Sequence, residues 1–354
     1  MKNLNERFEA WWNRKSEGLP LMYVVAMDET APRFPRAKTP EEFWTDADYL
    51  IARTKAEVAQ RTYLADAYPS FGADLGPGSL ALYLGTEPRF AWDTVWYDKC
   101  IDDLASHPKL QFDPENRWWM LHFALVKKIK EALLGVCMVD MPDIIENIDI
   151  YAAMRGTEDA LYDLMDDPEL VEERIAQIDE AYFHYYDAFR QLIAEPDGSQ
   201  SYTCFHIRGK GRVAKIQCDF SAMLSPGQFR QFVLPSLEKQ TQRLDHVLYH
   251  LDGKDAIRHV PALMELERLD ALQWTCGAGQ PDGACPRWDV IYDQVTAAGK
   301  SLWIQLYDGG VEDWIAGAER LMNRYGKNRM YFIFPDMPSA TAETLLTHAE
   351  KYWK

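Results

Sequence analysis

The sequence predicts an α/β fold in which helices alternate with the strands of a parallel sheet or barrel. Apolar runs of strand length alternate with segments of helical periodicity through the second half of the chain. The length of 354 residues suits one α/β barrel domain, which we place at residues 1–354. Polar side chains collect where the predicted strands end, which is the usual position of an active site in such folds.

The first half of the chain opens with a predicted helix at residues 8–14, which packs Trp11 and Trp12, and a buried strand at residues 20–27. Thr39 as N-cap, followed by Pro40 at the first helical position, indicates a helix that extends to residue 60. Periodicity and cap residues also predict helices at 116–134, from 157 and at 169–194, and a strand at 136–140.

The second half carries the clearer alternation of strands and helices. Ser225 and Pro226 open a helix that Pro235 should kink. Further helices are predicted at 256–266 and 311–323. The predicted strands lie at residues 202–207, 215–220, 246–252, 269–276, 301–306 and 330–334.

Charge and cysteine usage exclude several classes of protein. Lys and Arg total 38 against 55 Asp and Glu, a formal net charge of −17, which repels nucleic acid and anionic membrane surfaces as partners. Residues 1–17 are charged, and the apolar run at 19–27 is too short for a signal peptide or membrane span. The six cysteines lack CxxC spacing, so we expect a cytoplasmic protein with reduced thiols.

The strand at residues 246–252 carries the leading candidate site. Alternate side chains of a strand face opposite ways, so His250 and Asp252 are neighbours on one face, and Gly253 then ends the strand. Both residue types ligate metal ions. In the alternative interpretation, His250 only hydrogen-bonds to Asp252 or to a backbone carbonyl.

Other polar residues lie at or near the ends of neighbouring predicted strands. Asp143 follows the strand at 136–140, although Asp also caps local backbone groups in turns. Trp274 offers a surface for stacking against an aromatic substrate, or packs between strand and helix. The residues that we expect to shape the pocket are Gln217, Asp219, Gln273, Trp274, Gln305 and Asp336.

Residues 217–235 read Gln-Cys-Asp-Phe-Ser-Ala-Met-Leu-Ser-Pro-Gly-Gln-Phe-Arg-Gln-Phe-Val-Leu-Pro. This segment resembles the uroporphyrinogen decarboxylase superfamily, in which a strand ending in Asp precedes a helix begun by Ser-Pro. Gly-Pro-Gly at 76–78 and His-x-x-Gly at 250–253 fit the same pattern. The resemblance covers most of the chain and implies a (β/α)₈ TIM barrel, here with an N-terminal helical extension, and a site at the carboxyl ends of its strands.

The superfamily contains porphyrinogen decarboxylases and zinc-dependent methyltransferases that exchange methyl groups with a corrinoid protein. The decarboxylases hold their polyanionic substrate with arginines near the amino terminus, but residues 18–27 contain no arginine here. The chain resembles the methyltransferase branch more closely. That branch carries His-x-Cys-Gly and a later Cys as zinc ligands, and this chain has His250 and Gly253 with Asp252 at the first Cys position.

A carboxylate is a harder zinc ligand than a thiolate, so Asp252 favours an oxygen substrate such as a methyl ether or alcohol over a thiol. By the same resemblance, Cys276 after the next strand and Asp336 after the last strand are the candidates for the third ligand. The chain has no Asp-x-His-x-x-Gly cobalamin signature. A corrinoid must therefore arrive on a separate protein.

We predict a methyltransferase that moves a methyl group from a small O- or N-methylated donor to a corrinoid protein, with zinc acting as a Lewis acid at His250 and Asp252. The alternative is a metal-free lyase that decarboxylates a small carboxylic acid, with Asp219 or Asp143 as the catalytic residue that stabilises a cationic intermediate. A third hypothesis is a non-catalytic barrel that binds a small ligand or a partner.

Overall fold

The computed structural model describes residues 4–28, 30–202 and 204–354. The strands are β1 Leu21–Met27, β2 Arg61–Ala65, β3 Ser70–Phe71, β4 Glu87–Phe90, β5 Val95–Asp98, β6 Met138–Val139, β7 Ser199–Tyr202, β8 Ile207–Lys210, β9 Val213–Gln217, β10 His246–Asp252, β11 Ala271–Thr275, β12 Ser301–Gln305 and β13 Met330–Ile333. The α-helices are α1 Leu4–Trp12, α2 Pro40–Thr45, α3 Ala47–Ala59, α4 Leu80–Tyr83, α5 Arg117–Ala132, α6 Asn147–Arg155, α7 Thr157–Asp166, α8 Pro168–Ile193, α9 Pro226–Gln228, α10 Leu234–Arg243, α11 Val260–Met264, α12 Asp289–Ala297, α13 Val311–Tyr325 and α14 Ser339–Tyr352.

A seven-stranded sheet forms the centre of the molecule, in the order β2-β1-β13-β12-β11-β10-β9. Its neighbouring strands are parallel, except that β2 runs antiparallel to β1. Strands β3 and β6 form a separate short parallel pair, and a parallel bridge joins Met141 to Tyr202. The predicted α/β class is confirmed, while closure of the sheet into a barrel stays a prediction.

The parallel strands are buried along nearly their whole length, as expected for a sheet whose faces are covered. Strands β10, β11 and β12 become more exposed at their carboxyl-terminal residues. One hydrophobic cluster extends along the chain from Phe8 to Trp353. The carboxyl ends of the strands are therefore where this packed interior opens.

The predicted amino-terminal helix is present as α1, and both of its tryptophans are buried. The indole N–H of Trp11 donates to the carbonyl of Arg329 at 3.0 Å. That of Trp12 donates to the carbonyl of Arg208 at 2.9 Å. These bonds satisfy the polar atoms of two buried rings, so α1 is an integral part of the packing.

Several predicted elements differ from the structure for identifiable reasons. The helix expected at 39–60 is divided, because the side chain of Asp46 accepts from the backbone of Asp48 and Tyr49 and so caps α3 as a new helix. The helix expected at 256–266 begins as a 3₁₀ turn over Lys254–His259 before α11. The kink predicted at Pro235 appears as a π-helical turn over Phe229–Val233, since proline donates no backbone hydrogen bond.

The strand predicted at 202–207 is wrong. The chain instead forms the antiparallel hairpin β7–β8, and its connecting loop holds Cys204 at φ 55° and His206 at φ 50°. A strand requires negative φ throughout, so these two residues end it. A second hairpin, β4–β5, was not predicted. No helix among residues 4–28, 30–202 and 204–354 combines the length and apolarity needed to cross a bilayer.

Candidate active site

Three glutamine and histidine side chains stand in one row across adjacent parallel strands. Gln217 of β9 is in register with His250 of β10, which is in register with Gln273 of β11. Residues two positions apart on a strand share a face, so Asp252 lies beyond His250 on the same side. Asp219 follows the end of β9. The strand register thus gathers these polar groups at one edge of the sheet.

Asp219, His250 and Asp252 form a group that can hold a metal ion. One ligand atom from each residue lies within 4.8 Å of the other two. The donor set, one imidazole and two carboxylates, is one that zinc accepts. The structure therefore brings together the two predicted ligands of β10 with Asp219, which the sequence suggested as a catalytic residue.

The orientation of the His250 ring is fixed by Gln273. The Gln273 amide nitrogen donates to the Thr275 hydroxyl at 2.9 Å, which leaves its amide oxygen to accept from Nδ1 of His250. With Nδ1 protonated, Nε2 carries the free lone pair of the ring. Burial, followed by the positive charge of Lys215, lowers the pKa of His250, which favours the neutral imidazole that ligates metals.

A buried lysine supports the other side of the group. Lys215 lies two residues before Gln217 on the same face of β9, and its Nζ donates to the amide oxygen of Gln217. The Gln217 amide nitrogen then donates to Asp219 at 2.9 Å. Desolvation, followed by the charge of Asp149, raises the pKa of Asp219 to about 7; a bound cation would favour the ionised form. Lys215 thus determines which end of the Gln217 amide faces Asp219.

Asp143, the other suggested catalytic residue, is the counter-ion of Lys215. Its carboxylate lies 2.8 Å from Lys215 Nζ and accepts from the Tyr202 hydroxyl at 3.1 Å. Burial would lower the pKa of Lys215, but the carboxylates of Asp143 and Glu146 raise it above its ordinary value. In this structure Asp143 therefore stabilises the positive charge of Lys215.

Two strained residues lie at the start of α6 and just before it. Ile145 and Asn147 adopt φ values of 50° and 56°, which side chains with a Cβ rarely do. Asn147 compensates by donating to the carbonyl of Gln217 at 2.8 Å and accepting from the backbone of Asp149 at 3.1 Å. Such strain clusters at functional sites, and here the hydrogen bond from Asn147 to Gln217 joins α6 to β9.

A loop inserts aromatic rings next to the metal group. The Phe205 ring lies 5.1 Å from the His250 ring, and the Phe205 carbonyl accepts from the indole N–H of Trp303 at 2.8 Å. The next ring, His206, stacks on Tyr23 with 3.9 Å between centroids, and its carbonyl accepts from the Tyr331 hydroxyl at 2.8 Å. The loop therefore contacts both early and late strands of the sheet.

The remaining predicted residues lie apart from this group. Trp274 is on the opposite face of β11 from Gln273, and its ring lies 5.1 Å from Trp288. The thiol of Cys276 is near Trp274, and burial followed by Asp282 raises its pKa to about 12. Asp336 pairs with Arg61 at 3.1 Å, and Gln305 is exposed at the end of β12. Within the part of the chain that the structure describes, the three-residue group includes neither Cys276 nor Asp336.

A pocket of about 520 Å³ opens beside Asp219. Gln217, Asp219 and Asp149 line its polar end. Its apolar walls come from the β4–β5 hairpin, from α6 with the preceding loop and from the turn after β9, and include Trp96, Tyr97, Ile145, Ile150, Phe220 and Met223. The high aromatic content of the chain, with 12 Trp and 18 Tyr, is consistent with this aromatic lining, to which Trp96 and Tyr97 contribute.

The Gly-Pro-Gly segment allows the hairpin to approach the site. A Cβ at Gly76 would lie 2.6 Å from the Cβ of Val95, and Gly76 has φ +84°. The Tyr97 hydroxyl lies 3.0 Å from the carbonyl oxygen of Leu75 and 2.9 Å from that of Pro77, and it can donate its one proton to either. The glycine therefore permits the close contact, and the tyrosine fixes the wall of the pocket in place.

No protein-family model and no curated protein matches this sequence. Among solved structures, the chain is similar to one described as a methyltransferase from Methanosarcina mazei. The two chains share 14% sequence identity and a TM-score of 0.63, with 99% of each chain covered. At this identity the similarity shows that the two proteins share a fold along the whole chain and does not by itself assign an activity.

Proposed function

We propose that the protein is a methyltransferase that moves a methyl group from a small O- or N-methylated donor to a separate corrinoid protein. The observation that carries the proposal is the group of Asp219, His250 and Asp252 at the carboxyl ends of β9 and β10, next to a pocket that shares Asp219. The methyltransferase-like fold supports it. We further infer that the sheet closes into the (β/α)₈ barrel of uroporphyrinogen decarboxylase-like proteins.

The residues of the group fit a zinc ion, which would be held by Nε2 of His250 and the carboxylates of Asp219 and Asp252. When bound, zinc would supply Lewis-acid activation of the donor atom that carries the methyl group. The chain's own residues prepare this site. Gln273 orients the imidazole, and Lys215 orients Asp219 through Gln217.

Decarboxylation of a carboxylic acid fits the pocket less well. Among the described lining residues, Lys99 is the only one with a positively charged side chain. Its ammonium group is paired with Asp159 at 3.2 Å. The polar end carries two carboxylates, Asp149 and Asp219. An anionic substrate would meet like charge there with no unpaired cation to bind it.

Metal analysis tests the proposed site directly. We expect about one zinc ion per chain in wild-type protein purified anaerobically, measured by inductively coupled plasma mass spectrometry. His250→Ala, Asp252→Ala and Asp219→Asn should each lose the metal. Asp255→Asn is the matched control, because Asp255 is an exposed carboxylate just after the same strand and outside the group.

Methyl transfer is then assayed by the loss of cob(I)alamin absorbance when a methyl donor is added. Wild type and Asp255→Asn should convert the corrinoid at equal rates, and the three ligand variants should be inactive. A wild type without zinc after reconstitution would exclude the metal-assisted mechanism. Release of carbon dioxide from a carboxylic acid by metal-free protein would favour the lyase instead.

A further inference from the structure

We infer that the methyl donor is a neutral aryl methyl ether that lies in the pocket beside Asp219; this rests on the proposed methyl transfer. The first reason is size. The pocket measures about 520 Å³, within the range of roughly 300–1,000 Å³ that accommodates drug-sized ligands. Methanol or a methylamine would touch few of the lining residues at once, whereas a substituted aromatic ring is large enough to contact several of them.

The second reason is the nature of the walls. Trp96 is 60% exposed although it lines the pocket, so its indole is available to a ligand. Tyr97 is anchored by its hydroxyl, which lies within hydrogen-bonding distance of the Leu75 and Pro77 carbonyls, and Phe220 supplies a third ring. Aromatic faces and edges of this kind favour a flat aromatic ligand over an aliphatic one.

The third reason is charge. Asp149 lies at the polar end, but its oxygens already accept from the backbone N–H groups of Asp219 at 2.8 Å and Phe220 at 2.9 Å. Asp149 is therefore a weak hydrogen-bond acceptor for a cationic amine, while its negative charge repels an anionic donor. Lys99 is paired with Asp159, so a carboxylated donor gains no counter-ion from the described lining side chains. A neutral donor avoids both costs.

The chemistry also favours an aryl ether. The bond between oxygen and the methyl carbon breaks, and its electron pair stays on the oxygen, which takes a proton from solvent to give a phenol. The methyl carbon forms a bond to the Co(I) corrinoid of the separate protein, which is formally oxidised to Co(III). A phenol has a pKa of about 10, so its oxygen leaves more readily than that of an aliphatic alcohol.

Binding of 2-methoxyphenol, measured by isothermal titration calorimetry, tests the inference without relying on turnover. Protein as purified and protein treated with chelator should both bind it, because the walls hold the ring. Trp96→Ala removes one wall and should weaken binding about tenfold, equivalent to about 1.4 kcal/mol. Ala153→Phe, which adds a ring to the α6 side of the pocket, should weaken it by at least as much.

Trp92→Ala is the matched control, because Trp92 lies in the same β4–β5 hairpin as Trp96, in the turn between the two strands. Trp92 stacks on Arg36 at 3.7 Å and is not among the residues that line the pocket. This variant should bind 2-methoxyphenol as wild type does. The inference would be overturned if Trp96→Ala and Ala153→Phe bound 2-methoxyphenol as tightly as wild type does. So would binding of 4-methoxybenzoate or tetramethylammonium as tight as that of 2-methoxyphenol.

The two proposals fail in different ways. If methanol or a methylamine is demethylated while 2-methoxyphenol neither binds nor reacts, methyl transfer stands and the aryl ether is excluded. If 2-methoxyphenol binds in the pattern above but no donor gives a methylated corrinoid, the aromatic site stands and methyl transfer is excluded. Formation of 1,2-dihydroxybenzene with loss of cob(I)alamin, slowed about tenfold in Trp96→Ala at low donor concentration, supports both.

Discussion

The ion pair between Lys215 and Asp143 should be the most costly polar contact of the site to break. The side chains are 1% and 10% exposed, with 2.8 Å between Nζ and Oδ1. Lys215→Met removes the charge at nearly constant volume and leaves the Asp143 carboxylate with the Tyr202 hydroxyl. An uncompensated buried charge costs about 3–5 kcal/mol, and we expect a loss of this size in the free energy of unfolding by urea.

A second substitution distinguishes charge from packing. The double variant Lys215→Met with Asp143→Asn carries no unpaired charge and should recover at least about 2 kcal/mol of the loss. Lys300→Met is the matched control: Lys300 is 4% exposed but donates to the carbonyls of Leu266 and Leu269 at 2.7 and 2.8 Å. Its removal leaves neutral acceptors unpaired and should cost about 1–3 kcal/mol.

Two results would refute this reasoning. The first is a loss below about 1 kcal/mol for Lys215→Met, which would mean that the interior readily solvates Asp143. The second is a double variant no more stable than the single one, which would assign the loss to packing. A circular dichroism spectrum like that of wild type at zero urea must accompany each measurement, so that free energies refer to the same folded state.

Three further predictions concern the neighbouring groups. Gln273→Leu removes the acceptor of His250 Nδ1–H and should weaken zinc affinity about 10–100-fold in a chelator competition; unchanged affinity would mean that the ring is positioned by other contacts. Cys276→Ser should keep the zinc content of wild type, since the thiol lies near Trp274 and Asp282; loss of zinc would return Cys276 to the ligand set. Burial lowers the pKa of His122 to about 4 from 6.5, so its contribution to stability is present above pH 6.5 and lost as pH falls to 4. His122→Gln should reduce the stability difference between pH 7 and pH 4 by about 3 kcal/mol, measured by urea unfolding at both pH values, and an unchanged difference would contradict a buried neutral ring.

The sequence predicted those features that depend on local periodicity. Strand β10 has the predicted bounds, because its largely apolar run is ended by Gly253, and the alternation of side chains along a strand places His250 beside Asp252. Helix caps such as Thr39 were predicted correctly, since a cap is a contact between residues close in sequence.

Features that depend on contacts between distant segments were not predicted. Lys215 occurs in an apolar strand, and its partner Asp143 lies 72 positions earlier, so nothing in its own segment identifies it as a buried ion. Asp219 was recognised as a strand-end carboxylate, but its membership of the metal group depends on β9 pairing with β10. The positive φ values of Cys204 and His206 involve no glycine, which removes the usual sequence signal of such a turn.

The loop at residues 204–206 also determines when the site can form during synthesis. The carbonyls of Phe205 and His206 accept hydrogen bonds from Trp303 and Tyr331. These two donors leave the ribosome about 100 residues after the loop itself. Before then, the loop lacks these two hydrogen bonds, which help to hold two backbone conformations of high energy. The ring of His250, which contacts Phe205, thus reaches its final surroundings only when the last strand has been made. A metal ion at the proposed site would therefore bind to the finished chain rather than to the nascent one.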